Sequence, residues 1–219
     1  MKKLFAVLLG LVLVSSMIFA QQRGTQQPET GEAGPGQELV IAPAGETVQA
    51  QVRAQTTEQL QQMMQQRVQQ MAQEAQGLDE EQEKVYQNQN RVRLAVHSLL
   101  AMEDLVGGIG PQVREIATNF DNSVQATIRA EERVERRSAV ARFFAGGDEE
   151  AAEEIEGQVN QNQLRVQQLK QLREECDCGA EVKEMMRQQI QNMEQEQTRL
   201  QQLAQSEKRS KGMFGWLWK

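Results

Sequence analysis

Aromatic residues, histidine, proline and cysteine are all scarce in this chain of 219 residues. Phe, Tyr and Trp together make up 4% of it and the mean hydropathy is -0.63, which argues against a thick globular core. The four prolines and the predominance of Leu, Val, Ile, Met and Ala among the apolar residues favour helix over strand. The composition therefore predicts an all-α protein with long, thin helical packing.

Sequence motifs of common enzyme classes are also missing. There is no nucleophile elbow, phosphate loop or dinucleotide fingerprint, and the glycine run at 107–110 does not follow a strand. The single histidine, His97, is several helical turns from any predicted hairpin, so we expect a surface or packed residue there and not a metal ligand. No enzymatic activity, metal or cofactor is expected. A net charge of -7 argues against nucleic-acid binding and indicates solubility.

One apolar run stands out, at the N-terminus. Two lysines precede residues 4–14, which are apolar, and Ala20 is a small residue ahead of polar Gln21. This order predicts a signal peptide over residues 1–20, and hence export to the cell envelope. The alternative is an uncleaved N-terminal membrane anchor, because the apolar stretch is only just long enough to span a bilayer.

The rest of the chain divides by composition. Residues 21–52 contain three prolines and several glycines among polar residues, which predicts a flexible linker. Beyond it, apolar residues recur at spacings of three and four and form an apolar stripe on each predicted helix. Members of these stripes are Leu60, Met64 and Val68 in the first helix, Val85 and Leu99 in the second, Ile155, Val159 and Leu169 in the fourth, and Leu200 in the fifth. We expect a Gln-rich helix over 53–76, a four-helix antiparallel bundle over 77–206, and a basic and aromatic tail over 207–219. The fold prediction is an elongated antiparallel bundle or coiled coil of about five long helices.

Capping residues and glycines mark the helix ends. Thr56 or Thr57 can cap the first helix, Asp79 the second and Asp148 the fourth. The strongest break is the glycine run at 107–110 followed by Pro111, which predicts a helical hairpin.

The third helix is expected to be continuous. It runs through the charged residues 131–137 to Phe144 and ends at Gly146, and its apolar stripe includes Val140, Phe143 and Phe144. We interpret the charged residues as ion pairs on the helix surface. A polar cluster at 119–123 indicates a kink or a hydrated stretch, and polar residues at three other stripe positions predict loose packing; these residues are Gln89, Glu103 and Asn162.

Cys176 and Cys178 flank a single residue at a predicted helix-helix turn. In an exported protein the pair is expected to form a disulfide. A local staple of the turn or an intermolecular crosslink is favoured over a thiol-redox site, because thioredoxin-like sites use a different spacing on a βαβ scaffold.

The C-terminus departs from the polar character of the helices. Its apolar residues are Phe214, Trp216, Leu217 and Trp218, and its cations are Lys208, Arg209, Lys211 and Lys219. Aromatic and basic side chains in this mixture suit a membrane interface. The same residues would also suit a plug of the bundle end or a pocket on a partner protein.

Together these features predict a non-enzymatic structural or protein-interaction element of the cell envelope. Its expected partners are an envelope protein or a second copy of itself, with peripheral membrane contact through the tail. The alternatives are an extracytoplasmic binding module, such as a holdase-like chaperone or a sensor ectodomain, and a thiol-redox protein that uses Cys176 and Cys178.

Overall fold

The computed structural model describes residues 53–213. Within this range the backbone forms six α-helices and one 3₁₀ turn, and no strand. The helices are α1 (Thr57–Glu74), α2 (Glu80–Ala101), α3 (Gly110–Glu135), α4 (Ala139–Ala145), α5 (Glu149–Glu175) and α6 (Ala180–Arg209). The all-α prediction is confirmed for the described chain. The predicted leader (1–20) and linker (21–52) and the final residues 214–219 lie outside it.

Four of the helices have a side-chain cap at their N-terminus. Thr56 accepts a hydrogen bond from the Gln59 amide, Asp79 from that of Gln82 and Asp148 from that of Ala151. Each bond satisfies a backbone donor that has no partner inside its helix. The caps predicted at Asp79 and Asp148 are confirmed, and Thr56, one of two candidates, caps α1.

The connection between α2 and α3 lies at the predicted glycine run. Residues Gly107–Ile109 form the 3₁₀ turn, and Pro111 lies in the first turn of α3. Gly107 has a φ of 66°, which a residue with a Cβ rarely adopts. A Cβ at Gly110 would lie 2.2 Å from the carbonyl oxygen of Glu103. Both glycines are therefore required by the backbone of this turn.

The prediction of a continuous third helix is wrong. α3 ends at Glu135 and a separate helix, α4, begins at Ala139. Ser138 caps α4 by accepting a hydrogen bond from the Ala141 amide at 3.1 Å. Ser competes with the helical backbone for hydrogen bonds, so it favours a new start here over continuation of α3.

Ion pairs near the ends of the helices define their directions. At one end of the α2 and α3 pair, Asp79 contacts Arg136, and at the other Glu103 contacts Arg114. These two helices therefore run in opposite directions. The pair α5 and α6 is antiparallel as well, as shown by its bridges Lys170 to Glu194 and Glu156 to Lys208. α2 packs on α3 and α6, α5 packs on the same two helices, and α1 packs on α2. A closed ring of contacts of this kind is typical of helical bundles.

Two apolar clusters form the core. The larger contains residues of α1, α2, α3, α5 and α6, and Leu99, Phe120 and Met186 are fully buried in it. The smaller consists of Ala130, Val134, Ala151, Ala152, Ile155, Val159, Leu200 and Ala204. The predicted stripes supply most of the larger cluster, but only Ile155, Val159 and Leu200 of the smaller one. Val68 is an exception, because its side chain on α1 is exposed.

Candidate functional site

Cys176 and Cys178 form a disulfide in the short turn between α5 and α6, with their Cα atoms 5.3 Å apart. Cys176 is buried and Cys178 is half-buried. The Sγ atom of Cys176 lies 3.6 Å from the carbonyl oxygen of Val106. The turn therefore packs against the connection between α2 and α3, which brings two loops to one end of the protein.

The predicted tail begins inside α6. Lys208 and Arg209 belong to the last helical turn, and Lys211 is exposed just beyond it. The Nζ atom of Lys208 lies 2.5 Å from a carboxylate oxygen of Glu156, and this hydrogen bond raises the pKa of Lys208. The other predicted contact residues, Phe214, Trp216, Leu217, Trp218 and Lys219, lie outside the described residues.

The backbone after α6 is held against the loop that follows α4. The Gly147 amide donates to the Ser210 carbonyl at 2.7 Å, and the Met213 amide donates to the Phe143 carbonyl at 2.8 Å. A Cβ at Gly212 would lie 2.4 Å from the backbone of Phe144. Glycine at this position therefore allows the two backbones to touch, and the chain leaves Met213 beside α4.

The buried carboxylate of Glu207 holds the same junction. It accepts a hydrogen bond from Arg142 at 2.6 Å and another from the Asp148 amide at 3.0 Å. Arg142 also donates to the Val134 carbonyl at 2.5 Å. One carboxylate thus joins the end of α6 to α4 and to the start of α5.

The outer face of α4 is apolar and exposed, and Met213 lies beside it. We call these four residues the α4 patch: Val140, Phe143, Phe144 and Met213. Val140 is 66% exposed and Phe143 59% exposed. The rings of Phe143 and Phe144 meet edge to face, with centroids 5.0 Å apart. The sequence prediction that Val140, Phe143 and Phe144 face the core is wrong, because the break at Ser138 reorients this segment. Ser138 as an N-cap was the available signal.

A buried polar layer crosses the bundle. Both oxygens of Glu131, which is 1% exposed, accept hydrogen bonds from Arg199 at 2.7 and 2.6 Å. Gln89 donates to Glu131 as well, and Arg199 also binds Glu196 at 2.6 Å. The interpretation of Glu131 as a surface residue is wrong. It faces inward from α3 towards α2 and α6.

Burial and pairing shift the pKa values in this layer in defined directions. Burial raises the pKa of Glu196, although the adjacent guanidinium opposes this shift. Burial would lower the pKa of Arg199, but its hydrogen bonds to Glu196 and Glu131 outweigh that effect and raise it. Arg199 therefore remains charged and neutralises buried carboxylate. This arrangement provides ion pairing between α3 and α6.

A second polar contact joins α3 to α5. One Nη atom of Arg165 lies 2.6 Å from the Ser123 hydroxyl and 2.7 Å from the Asn162 amide oxygen. Asn162 is buried, as its predicted stripe position implies. The predicted polar cluster is divided by the structure, because Ser123 faces this contact while Asn119 lines a nearby groove.

That groove, between α3 and α5, has a volume of about 500 Å³. Its walls are mainly amide and charged side chains. Burial lowers the pKa of Arg165, which lies in its wall. Such a surface offers hydrogen bonds to a polar ligand but little apolar contact.

His97 is half-buried on α2, and burial lowers its pKa. Within residues 53–213, no group of three His, Cys, Asp or Glu side chains is placed to hold a metal ion. In the same range no helix is long and apolar enough to cross a membrane. No protein-family model, curated protein or solved structure matches this chain.

Proposed function

We propose that this chain is a non-enzymatic helical protein of the cell envelope that contacts a membrane surface with its C-terminal end and presents its polar helix faces to protein partners. Its finer architecture is an elongated antiparallel four-helix bundle with α1 alongside. The observation that carries the proposal is the exposed α4 patch, because it adjoins the point from which the aromatic tail continues.

The α4 patch supplies apolar area that the tail alone would lack. Transfer of one phenylalanine side chain from water to an apolar phase contributes roughly 1.5 to 3 kcal/mol, so Phe143 together with the tail aromatics would contribute several kcal/mol to binding. Arg209 and Lys211 are exposed and form no ion pair within the described chain. Cations beside an apolar surface are typical of interfacial membrane contacts.

Acidic residues limit the electrostatic part of this contact. Glu149 and Glu150 are exposed on the first turn of α5, directly after the loop that holds the tail. They would repel anionic lipid, so apolar burial has to supply most of the binding energy. We therefore expect binding that weakens with salt but is not abolished by it.

Tryptophan emission tests the membrane contact, because both tryptophans lie in the last four residues. We expect a blue shift when the full chain meets vesicles of mixed zwitterionic and anionic lipid. Phe143→Ser should weaken binding in vesicle sedimentation. Leu164→Ser, which removes an exposed apolar side chain from α5 outside the α4 patch, is the matched control and should leave binding unchanged.

A different result would assign the tail to the bundle itself. If emission is already blue-shifted without vesicles, and deletion of residues 214–219 lowers the melting temperature, the tail packs on its own α4 patch. The membrane contact would then be abandoned.

The location in the envelope rests on residues 1–20, and the disulfide agrees with an oxidising compartment. Intact-mass measurement of native protein should give a chain that begins near Gln21. Retention of the leader would instead indicate an anchored protein, which favours the sensor-ectodomain alternative.

The groove between α3 and α5 favours a binding module as the second candidate. Its volume of about 500 Å³ is within the range of small-ligand sites. For the holdase form of this alternative, the purified protein should suppress aggregation of an unfolded client protein at equimolar ratio. Failure to do so would exclude the holdase form of this alternative.

A further inference from the structure

The two sulfur atoms of the disulfide differ in access. Cys176 is 3% exposed and belongs to the larger apolar cluster, whereas Cys178 is half-buried at the margin of that cluster. A thiolate attacks a disulfide in line with the S–S bond, from the far side of the sulfur that it meets. Because Cys178 is the more exposed residue, an incoming thiolate reaches it from solvent more readily than it reaches Cys176.

The buried sulfur has an acceptor that only its reduced form can use. The Cys176 Sγ atom lies 3.6 Å from the Val106 carbonyl oxygen. A disulfide sulfur carries no hydrogen, but a thiol is a weak donor. Once the bond opens, the Cys176 thiol can donate to this carbonyl, which stabilises the opened state inside the folded protein.

The outer sulfur is next to the start of a long helix. Gly179, which follows Cys178, begins α6 without any side-chain cap. In the reduced protein, free backbone N–H groups and the positive end of the helix dipole favour the thiolate form of Cys178, which makes it reactive towards an added disulfide. In the oxidised protein the same effect makes Cys178 the better leaving group, so attack at Cys178 rests on its access to solvent. Asp177 and Glu181 oppose this effect by their charge, although the Glu181 carboxylate is turned towards α1, where it accepts from the Thr57 hydroxyl at 3.4 Å.

Opening the disulfide does not require the bundle to unfold. The bond links residues two positions apart, and closing so small a loop removes little entropy from the unfolded chain. The packing of α5 on α6 does not depend on the sulfur atoms, since apolar and charged contacts continue along both helices.

We propose that Cys176–Cys178 is an exchangeable disulfide whose exchange occurs at Cys178. The thiolate of a small-molecule or protein thiol forms a bond to Cys178 Sγ as the S–S bond breaks. Cys176 Sγ leaves with the electron pair and takes a proton from water. The product is a mixed disulfide on Cys178, and return attack by Cys176 as thiolate releases the incoming thiol. This role goes beyond the envelope function and is independent of it.

The test uses reduced glutathione with the oxidised full chain under native conditions, followed by acid quenching. The tryptic peptide that spans residues 174–183 contains both cysteines, and fragmentation between them locates the adduct. We expect glutathione on Cys178, with the helical circular dichroism signal unchanged. Adduct mainly on Cys176, or none until denaturant is added, would overturn the proposal and leave an inert staple.

Single-cysteine variants provide a second measurement. Cys176→Ser leaves Cys178 free, and Cys178→Ser leaves Cys176 free, so each is the matched control of the other. With glutathione disulfide, Cys176→Ser should react about tenfold faster, because its thiol is accessible and close to the helix start. In denaturant the two rates should become similar. Equal rates in the native state would contradict the assignment of Cys178, and the wild-type adduct map decides the matter if either variant fails to fold.

Discussion

The half-buried guanidinium of Arg199, which pairs with the buried Glu131, allows a direct test of the polar layer. In Arg199→Met, Glu131 keeps only its hydrogen bond from Gln89, and Glu196 loses its cation. A buried charge that loses its partner typically costs about 3 to 5 kcal/mol. For a chain of this size, 1 kcal/mol corresponds to roughly 2 to 4 °C in melting temperature. The variant should therefore melt on the order of 10 °C lower.

The same helix offers a matched control. Arg187 also lies on α6 and pairs with a glutamate, Glu184, at 2.5 Å, but both partners are about half exposed. Surface pairs of this kind contribute roughly 0 to 1 kcal/mol. Arg187→Met should therefore shift the free energy of unfolding by less than about 1 kcal/mol, measured by urea denaturation followed by helical circular dichroism.

A double variant separates the charge from the packing. Arg199→Met with Glu131→Met removes both members of the buried pair, and apolar replacement of a buried pair is often neutral or stabilising. Part of the loss in Arg199→Met should thus be recovered. If Arg199→Met and Arg187→Met cost the same, or if the double variant is worse than the sum of its single changes, Glu131 and Arg199 do not form the stabilising pair that the structure shows.

Five further variants probe packing, backbone and pH. Leu169→Asp places a charge in the larger cluster and should lower the free energy of unfolding by several kcal/mol, whereas Gln167→Asp on the exposed face of α5 should be nearly neutral in urea denaturation. Gly157→Ala has open space for its Cβ and should raise the free energy of unfolding by about 0.5 to 1 kcal/mol. Gly212→Ala has no such space, so it should displace the tail from α4 and expose the Gly147 amide to hydrogen exchange. Burial raises the pKa of Glu196, so this carboxyl group keeps its proton to higher pH in the folded state than in the unfolded state. The protonated group therefore stabilises the fold at low pH, and this contribution is lost as pH rises from 4.5 through the folded-state pKa. In Glu196→Gln that contribution should be absent, and a wild-type minus variant difference that does not fall with pH over this window would contradict the burial.

Periodicity and local chemistry were sufficient to predict most of the helices. Spacings of three and four placed Val85, Leu99 and Leu169 on buried faces, because the α-helical period depends only on the chain itself. Local hydrogen bonds form the caps at Asp79 and Asp148, and local steric effects cause the glycine break before α3. These features could therefore also be predicted from the sequence.

Most of the predictions that failed concern burial, which depends on the helices packed around a residue and not on the sequence near it. The α4 patch has the spacing of a core stripe, yet no helix of the described chain covers Val140 or Phe143. Glu131 belongs to a run of charges that resembles a solvated face, but it is buried because Arg199 reaches it from α6. Sequence spacing reports which residues share a helix face. It does not report what lies opposite.

The sequence by itself determined an all-helical chain with capped helices, a glycine-rich break before α3 and two cysteines one residue apart. The helices, caps and break depend on φ and ψ preferences and on hydrogen bonds within a few residues. Only the tertiary structure decided which charges are buried, which cysteine is accessible and where the tail starts. Those properties depend on contacts between distant segments, such as Arg199 with Glu131, Cys176 with Val106, and Met213 with Phe143. Whether a side chain is buried or paired depends on the residues of the neighbouring helices, and these residues meet only when the helices pack.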